Sequence, residues 1–192
     1  MDLKVPKLPK IAIGRRKALI AAGAVVALIV VAFIGWTLFV DYTKEEQVAT
    51  FSGHVAAAEA DLALVSEKIA VHLYSLPENP SIAECDAYMR DLAPLAEYGR
   101  GVTAHHRQVV GADLVLGPYA GAQSAYVRAL DSLNRAFSLW TSAAAAYDAQ
   151  AYTAAKNALA GADEAWEEYA AAIDDYEQEL QTAEREEEAP PA

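Results

Sequence analysis

The residues of this sequence best suited to chemistry are four histidines and a single cysteine. Neighbouring imidazoles bind transition metals, and a histidine close to a cysteine can generate a reactive thiolate. If the chain folds back on itself between residues 77 and 80, His54 lies opposite Thr103 and close to both His105 and His106. The candidate metal ligands are therefore His54, His105 and His106.

The same hairpin places His72 opposite Cys85, a pairing that could activate the thiol. Metal sites in helical bundles usually combine histidines with carboxylates in the spacing Glu-x-x-His. None of the four histidines has a glutamate three residues before it. We therefore favour a structural role for the histidines and for Cys85, and we predict no bound metal or cofactor. Because Cys85 is the only cysteine, an intrachain disulfide is excluded.

Ten tyrosines and three tryptophans form the second group of candidates. An aromatic-lined helical core can enclose a flat or cationic ligand, and Tyr126 and Trp140 are the residues best placed to contact it. The alternative is ordinary core packing against alanine. The spacing of Tyr119, Tyr126 and Tyr147 in multiples of seven favours this alternative.

The remaining sequence contains no catalytic motif. The acidic pairs at 167–168 and 174–175 are typical of a solvated helix face. There is no phosphate-binding glycine loop, EF-hand loop or nucleophile elbow. An enzyme needs convergent polar groups in a cleft, and the sequence offers no such set. We predict that the chain is not an enzyme.

Charge is distributed very unevenly along the 192 residues. Residues 1–17 contain six basic side chains and one acidic side chain, whereas residues 18–40 contain no charge at all. Residues 41–192 contain 9 basic and 26 acidic side chains, a net charge of −17. Such an acidic domain repels the phosphate backbone of nucleic acid, so nucleic acid is excluded as a partner.

The uncharged residues 18–40 are long enough to cross a membrane. As a helix they extend for roughly 35 Å, compared with about 30 Å for the hydrocarbon core of a bilayer. The segment is longer than the core of a signal peptide and ends without a small-x-small cleavage site, which favours an uncleaved anchor. The basic residues 1–17 should stay in the cytoplasm. We predict a single-pass protein of the cell membrane, with its N-terminus inside and its main domain outside.

The residues that follow the predicted anchor have a helical pattern. Segments at about 43–76, 81–112, 118–148 and 152–187 repeat apolar residues at alternating intervals of three and four, as coiled coils do. Pro and Gly mark the first two connections, whereas the break near Asp148 is inferred from segment length. We predict an all-α protein in which a transmembrane helix precedes an acidic, up-down-up-down four-helix bundle over residues 41–188. Residues 189–192 form a short tail.

The sequence favours a non-enzymatic binding or assembly role outside the cytoplasm, through a protein partner or through self-association. The alternative is a sensory ectodomain that binds a small ligand. In layout it resembles the helical-bundle sensor domains of chemoreceptors. Those receptors add a second span and a cytoplasmic signalling region, and this sequence contains neither. Sensing would therefore require a separate partner protein that carries the signal.

Overall fold

The computed structural model describes residues 46–115 and 117–188, and all regular structure within them is helical. The all-α class predicted from the sequence is therefore confirmed. The elements are α1 (Glu46–Leu73), α2 (Ile82–Ala112), a 3₁₀ turn (Gly117–Tyr119), α3 (Ala120–Asp148) and α4 (Tyr152–Glu188). The predicted basic segment 1–17, the membrane anchor 18–40 and the tail 189–192 lie outside the described residues.

The connections between the helices have identifiable local causes. Ser81 and Glu84 form a capping box at the start of α2: the Glu84 backbone N–H donates to Ser81 Oγ, and the Ser81 N–H donates to Glu84 Oε2. Each bond satisfies a backbone N–H that has no partner within the helix. Gly117 before α3 and Gln150 between α3 and α4 have φ values of 75° and 58°, which reverse the chain direction.

Side-chain hydrogen bonds show that consecutive helices run in opposite directions where they contact each other. His54 and Asp61 of α1 bond to Asp113 and His106, respectively, so the residue number rises by seven on α1 while it falls by seven on the α2 side. The same reversal holds for α2 with α3 (Arg107 with Asp131, Thr103 with Asn134) and for α3 with α4 (Arg128 with Asp175, Arg135 with Glu168).

The buried residues of each helix follow the predicted intervals of three and four. Large examples are Phe51, Leu62, Val65 and Ile69 on α1; Met89, Leu92 and Val110 on α2; Tyr126, Leu130, Leu133, Phe137 and Trp140 on α3; and Tyr169, Ile173 and Tyr176 on α4. Two residues of the predicted seams, Ile82 and Tyr152, are instead exposed. They are the first residues of α2 and α4, where the neighbouring helix no longer covers them.

The closest packing depends on residues that have little or no side chain. A methyl group at Gly99 would lie 2.7–2.8 Å from ring carbons of Phe137, so α2 and α3 can approach at this point only because position 99 is glycine. The backbones of α3 and α4 come closest to each other, whereas α1 packs least closely against the remaining helices.

Among the described residues, α1 is also the helix that is long and apolar enough to cross a membrane, over Gln47–Leu73 with a mean hydropathy of 1.2. The core helix of a globular domain can have the same length and composition. The hydropathy of α1 is high because it has apolar residues on both faces: Leu64 and Val71 are exposed on the side opposite its buried seam. The exposed Asp61 and Lys68 also lie within this range.

The two nearby glycines of α2 provide a test of this packing. Gly99→Ala should destabilise the fold by about 1–3 kcal/mol, because the added methyl overlaps the buried ring of Phe137. Gly101→Ala should stabilise it by about 0.5–1 kcal/mol, because nothing lies within 4 Å of the added methyl and alanine favours a helix. Denaturant unfolding followed by circular dichroism measures both changes. Equal effects of the two substitutions would contradict the packing described for Gly99.

Candidate functional site

The structure pairs two of the predicted metal ligands with aspartates. His54 Nδ1 lies 2.8 and 2.9 Å from the two carboxylate oxygens of Asp113, and His106 Nε2 lies 2.8 Å from Asp61 Oδ2. His105 contacts the ring of His106 edge-on, with 5.0 Å between the ring centroids. Within residues 46–115 and 117–188, no group of three or more His, Cys, Asp or Glu side chains is arranged to hold a metal ion.

The predicted opposition of His54 and Thr103 is wrong, because the residue that His54 contacts lies ten positions further along the chain. The prediction assumed that α1 and α2 advance by equal numbers of residues away from the first connection. Two contacts show the difference: His72 contacts Tyr88, and Asp61 contacts His106. From the first contact to the second, the position on α1 changes by 11 residues, whereas the position on α2 changes by 18. Pro94, which has no backbone N–H to donate, lies within this stretch of α2.

The predicted pairing of His72 with Cys85 is also replaced by another contact. His72 stacks on Tyr88, with 4.2 Å between the ring centroids, one turn beyond Cys85. Burial, followed by the charges of Asp86 and Glu84, raises the pKa of the Cys85 thiol. A reactive thiolate needs the opposite shift. Burial also lowers the pKa of His72, although the charge of Asp91 partly offsets the effect.

The two predicted ligand-binding aromatics, Tyr126 and Trp140, are far apart on the same helix. They are 14 positions apart on α3, which is about 21 Å along the helix axis. Trp140 packs against Phe137 and Trp166, with centroid distances of 5.7 Å to each. Tyr126 contacts Tyr176 of α4 at a centroid distance of 5.0 Å. A single ligand the size of one aromatic ring cannot contact both Tyr126 and Trp140.

Glu59, which is not among the residues predicted from the sequence to form a site, lies in the core and interacts electrostatically with Tyr126. Its side chain is buried, with a residue exposure of 6%, and Tyr126 is 1% exposed. Among the described residues, neither Glu59 Oε2 nor the Tyr126 hydroxyl has a hydrogen-bond partner. Buried polar atoms are nearly always paired, so these two unpaired groups require an explanation. We refer to Glu59, Tyr126, Tyr169 and Tyr176 as the Glu59 cluster.

The electrostatics of the Glu59 cluster follow from its burial. Loss of water raises the pKa of Glu59 to about 8, so its carboxyl group is mostly protonated at pH 7. Burial raises the pKa values of Tyr126, Tyr169 and Tyr176 as well, and the nearby Glu59 charge adds to each shift. The cluster therefore carries no net positive charge, and it becomes anionic only when Glu59 loses its proton.

One pattern in the sequence could have identified Glu59. It lies four residues after Val55 and three residues before Leu62, which are both buried positions of the α1 seam. The residues directly before and after Glu59 are alanines, and their side chains are too small to keep its carboxyl group out of the core. The spacing of Glu59 from Val55 and Leu62 indicates burial, whereas its residue type is typical of an exposed position.

No protein-family model, characterised protein or solved structure shows significant similarity to this chain. The Glu59 cluster is therefore interpreted from its own geometry and chemistry.

Replacement of Glu59 by glutamine tests the burial of its carboxyl group. Below about pH 4.5 the group is protonated in both the folded and the unfolded chain, so it has no effect on the pH dependence of stability. Between 4.5 and about 8 the unfolded chain loses the proton while the folded chain keeps it, so stability falls as the pH rises. The total loss is on the order of 5 kcal/mol and levels off above pH 8.

Glu59→Gln should therefore make the domain more stable than the wild type at pH 8, and the difference should shrink towards pH 4.5. Thermal unfolding measured at several pH values gives this comparison. Glu164→Gln, at an exposed position of α4, is the matched control and should leave the pH profile almost unchanged. A Glu59→Gln profile parallel to that of the wild type would show that the carboxyl group is not buried in solution.

Proposed function

We propose that this chain is a single-pass membrane protein whose helical domain, outside the cytoplasm, has a non-enzymatic binding or assembly role. In this proposal residues 18–40 form the membrane anchor and the N-terminus lies in the cytoplasm. The uncharged anchor and the basic residues before it support this orientation. The exposed charges of α1 and its bonds to the α2 side favour an assignment of α1 to the domain rather than to the membrane.

We also propose that the four helices form an up-down-up-down bundle. The opposite directions of consecutive helices support this arrangement, as does the hydrogen bond of 3.1 Å from the Tyr119 hydroxyl to Glu187, which links the two far ends of α3 and α4. Glu59 of α1 interacts electrostatically with Tyr169 and Tyr176 of α4, which supports closure of the bundle between its first and last helices.

The observation that carries the binding role is a group of exposed apolar side chains at one end of an acidic domain. Val71, Tyr74 and Ile82 are 70%, 56% and 56% exposed and lie on either side of the connection between α1 and α2. We call them the distal patch, because α1 places them about 40 Å from its first residue. Exposed apolar groups with polar surroundings are typical of protein-binding sites.

The charges around the distal patch indicate the chemistry of its partner. Three exposed carboxylates lie near it in sequence, those of Glu78, Glu84 and Asp86, and Asp86 also accepts a hydrogen bond from Tyr147 of α3. We therefore propose a protein partner with apolar residues at the centre of its binding face and Lys or Arg at the edge. The net charge of −17 over residues 41–192 disfavours a second copy of the chain in this position.

The non-enzymatic part of the proposal rests on how the reactive side chains are used. His54 and His106 are held by aspartates in contacts that join α1 to the α2 side, and the Cys85 thiol has a raised pKa. The raised pKa keeps the Cys85 thiol protonated and weakly nucleophilic at neutral pH, and the two His–Asp contacts join neighbouring elements of the fold.

A second candidate function is that of a small-ligand-binding sensory ectodomain that signals through a separate partner protein. The unpaired buried oxygens of Glu59 and Tyr126 favour it, because they are polar groups inside the domain that a bound ligand could satisfy. Trp140 lies too far along α3 to take part in the same site.

The topology predicts a specific pattern of protease sensitivity. Protease added to intact cells should digest an epitope placed after residue 188, because the domain lies outside, and should spare an epitope at the N-terminus. The same treatment after membrane permeabilisation should digest both epitopes and serves as the control. Protection of the C-terminal epitope in intact cells, or a mature protein that begins near residue 41, would contradict the proposed anchor.

Site-specific photocrosslinking tests the distal patch. A photoreactive phenylalanine analogue in place of Tyr74, or in place of Ile82, should crosslink the same partner protein in intact cells. The yield of this crosslinked product in isolated membranes should fall as salt is added. Tyr98, an exposed tyrosine of α2 outside the patch, is the matched control position and should give no such adduct. Equal adducts from Tyr98, or an adduct that contains only a second copy of this chain, would contradict the proposed partner.

A further inference from the structure

The Glu59 cluster contains a carboxyl group for which the described residues, 46–115 and 117–188, supply no countercharge. The ionisable groups that interact with Glu59 from α3 and α4 are Tyr126, Tyr169 and Tyr176, and none of them is basic. On the α2 side, His106 donates to Asp61, two residues after Glu59, and is already paired. By contrast, exposed carboxylates such as Glu168 and Asp175 have arginine partners.

The two unpaired atoms of the cluster restrict the chemistry of a ligand. An ionised Glu59 Oε2 and the Tyr126 hydroxyl oxygen each accept a hydrogen bond, and the hydroxyl also donates one. A ligand with two donors and a positive charge satisfies both acceptors and supplies the missing countercharge. The rings of Tyr126, Tyr169 and Tyr176 attract a positive charge at their faces. A primary ammonium group has three N–H donors and one positive charge, and therefore matches both features.

We propose that Glu59 and Tyr126 bind the ammonium group of a small primary alkylamine, and that the neighbouring tyrosine rings surround its charge. This inference rests on the second proposed function, the binding of a small ligand, and specifies the class of that ligand. A quaternary ammonium ion has no N–H and would leave both oxygens without a donor. A divalent metal ion prefers several carboxylates, and this cluster offers one.

Binding at this position requires a movement of α1. Glu59 and Tyr126 are almost completely covered, so an amine reaches them only when a helix is displaced. α1 is the best candidate, since it packs least closely against the rest of the domain. A bound ammonium ion then favours the ionised form of Glu59, whose carboxyl group gives up its proton to the solvent as the charge pair forms.

Thermal unfolding of the full-length protein in detergent tests the proposal, with n-butylammonium chloride as the probe in phosphate buffer. The melting temperature should rise with amine concentration, on the order of 5 °C at a hundred times the Kd. Sodium chloride and tetramethylammonium chloride at the same ionic strength should give no comparable shift. Glu59→Gln should abolish the shift, and Glu164→Gln should leave it unchanged.

Two further measurements separate binding from a general effect on folding. Tyr126→Phe keeps the aromatic ring but removes one acceptor, so it should weaken binding by about tenfold. Mixing protein and amine in weak buffer at pH 7 should release about one proton per bound amine, and this release should decrease above pH 9, where Glu59 is already ionised.

Several results would overturn the proposal. These are the absence of a shift with butylammonium, an equal shift with tetramethylammonium, and a shift that Glu59→Gln retains. A shift with a neutral aromatic compound that depends on Tyr126 would exclude an ammonium ligand while supporting the sensory function. No shift with either type of compound would contradict both the ligand class and the sensory function, but not the role of the distal patch.

Discussion

The packing of large rings against positions with almost no side chain is the constraint on which this structure depends. The ring of Phe137 occupies the space that a methyl group at Gly99 would need. Tyr126 has buried alanines one turn before and after it on α3, at positions 122 and 129. Aromatic side chains fill a narrow space between helices only if the facing residues are small, because protein interiors tolerate neither overlap nor voids. This pattern allows α2, α3 and α4 to pack closely.

α1 is held differently. Its buried seam consists of branched and aromatic residues such as Phe51, Leu62 and Ile69, which keep its backbone further from its neighbours. Its alignment is set by two polar contacts, His54 with Asp113 and Asp61 with His106, rather than by close backbone approach. It also contributes Glu59, the buried acidic residue of the core. α1, the helix with the loosest packing, therefore carries the buried carboxyl group of Glu59. The position of α1 is sensitive to the charge of that group.

The sequence predicts the features that depend on local pattern and misses those that depend on the relative position of helices. Intervals of three and four and the all-α class follow from contacts within one helix. The alignment of α1 with α2 does not, because it depends on the path of α2 around Pro94 and on how far the histidine side chains reach. The burial of Glu59 does not follow from its residue type, which is typical of exposed positions, although its spacing from Val55 and Leu62 matches the α1 seam.

The proposed features come together on α1. Its first residue follows the proposed anchor, Glu59 lies about 20 Å along it, and Val71 of the distal patch lies about 18 Å further still. A group that neutralises or pairs with Glu59 changes the free energy with which α1 packs on the other helices, because the carboxyl group is buried only while α1 is in place. In the proposed arrangement, ligand binding in the core and the shape of the distal patch are therefore thermodynamically linked through α1. In such an arrangement a small cation in the core can change the affinity of a protein partner about 18 Å away without any contact between them.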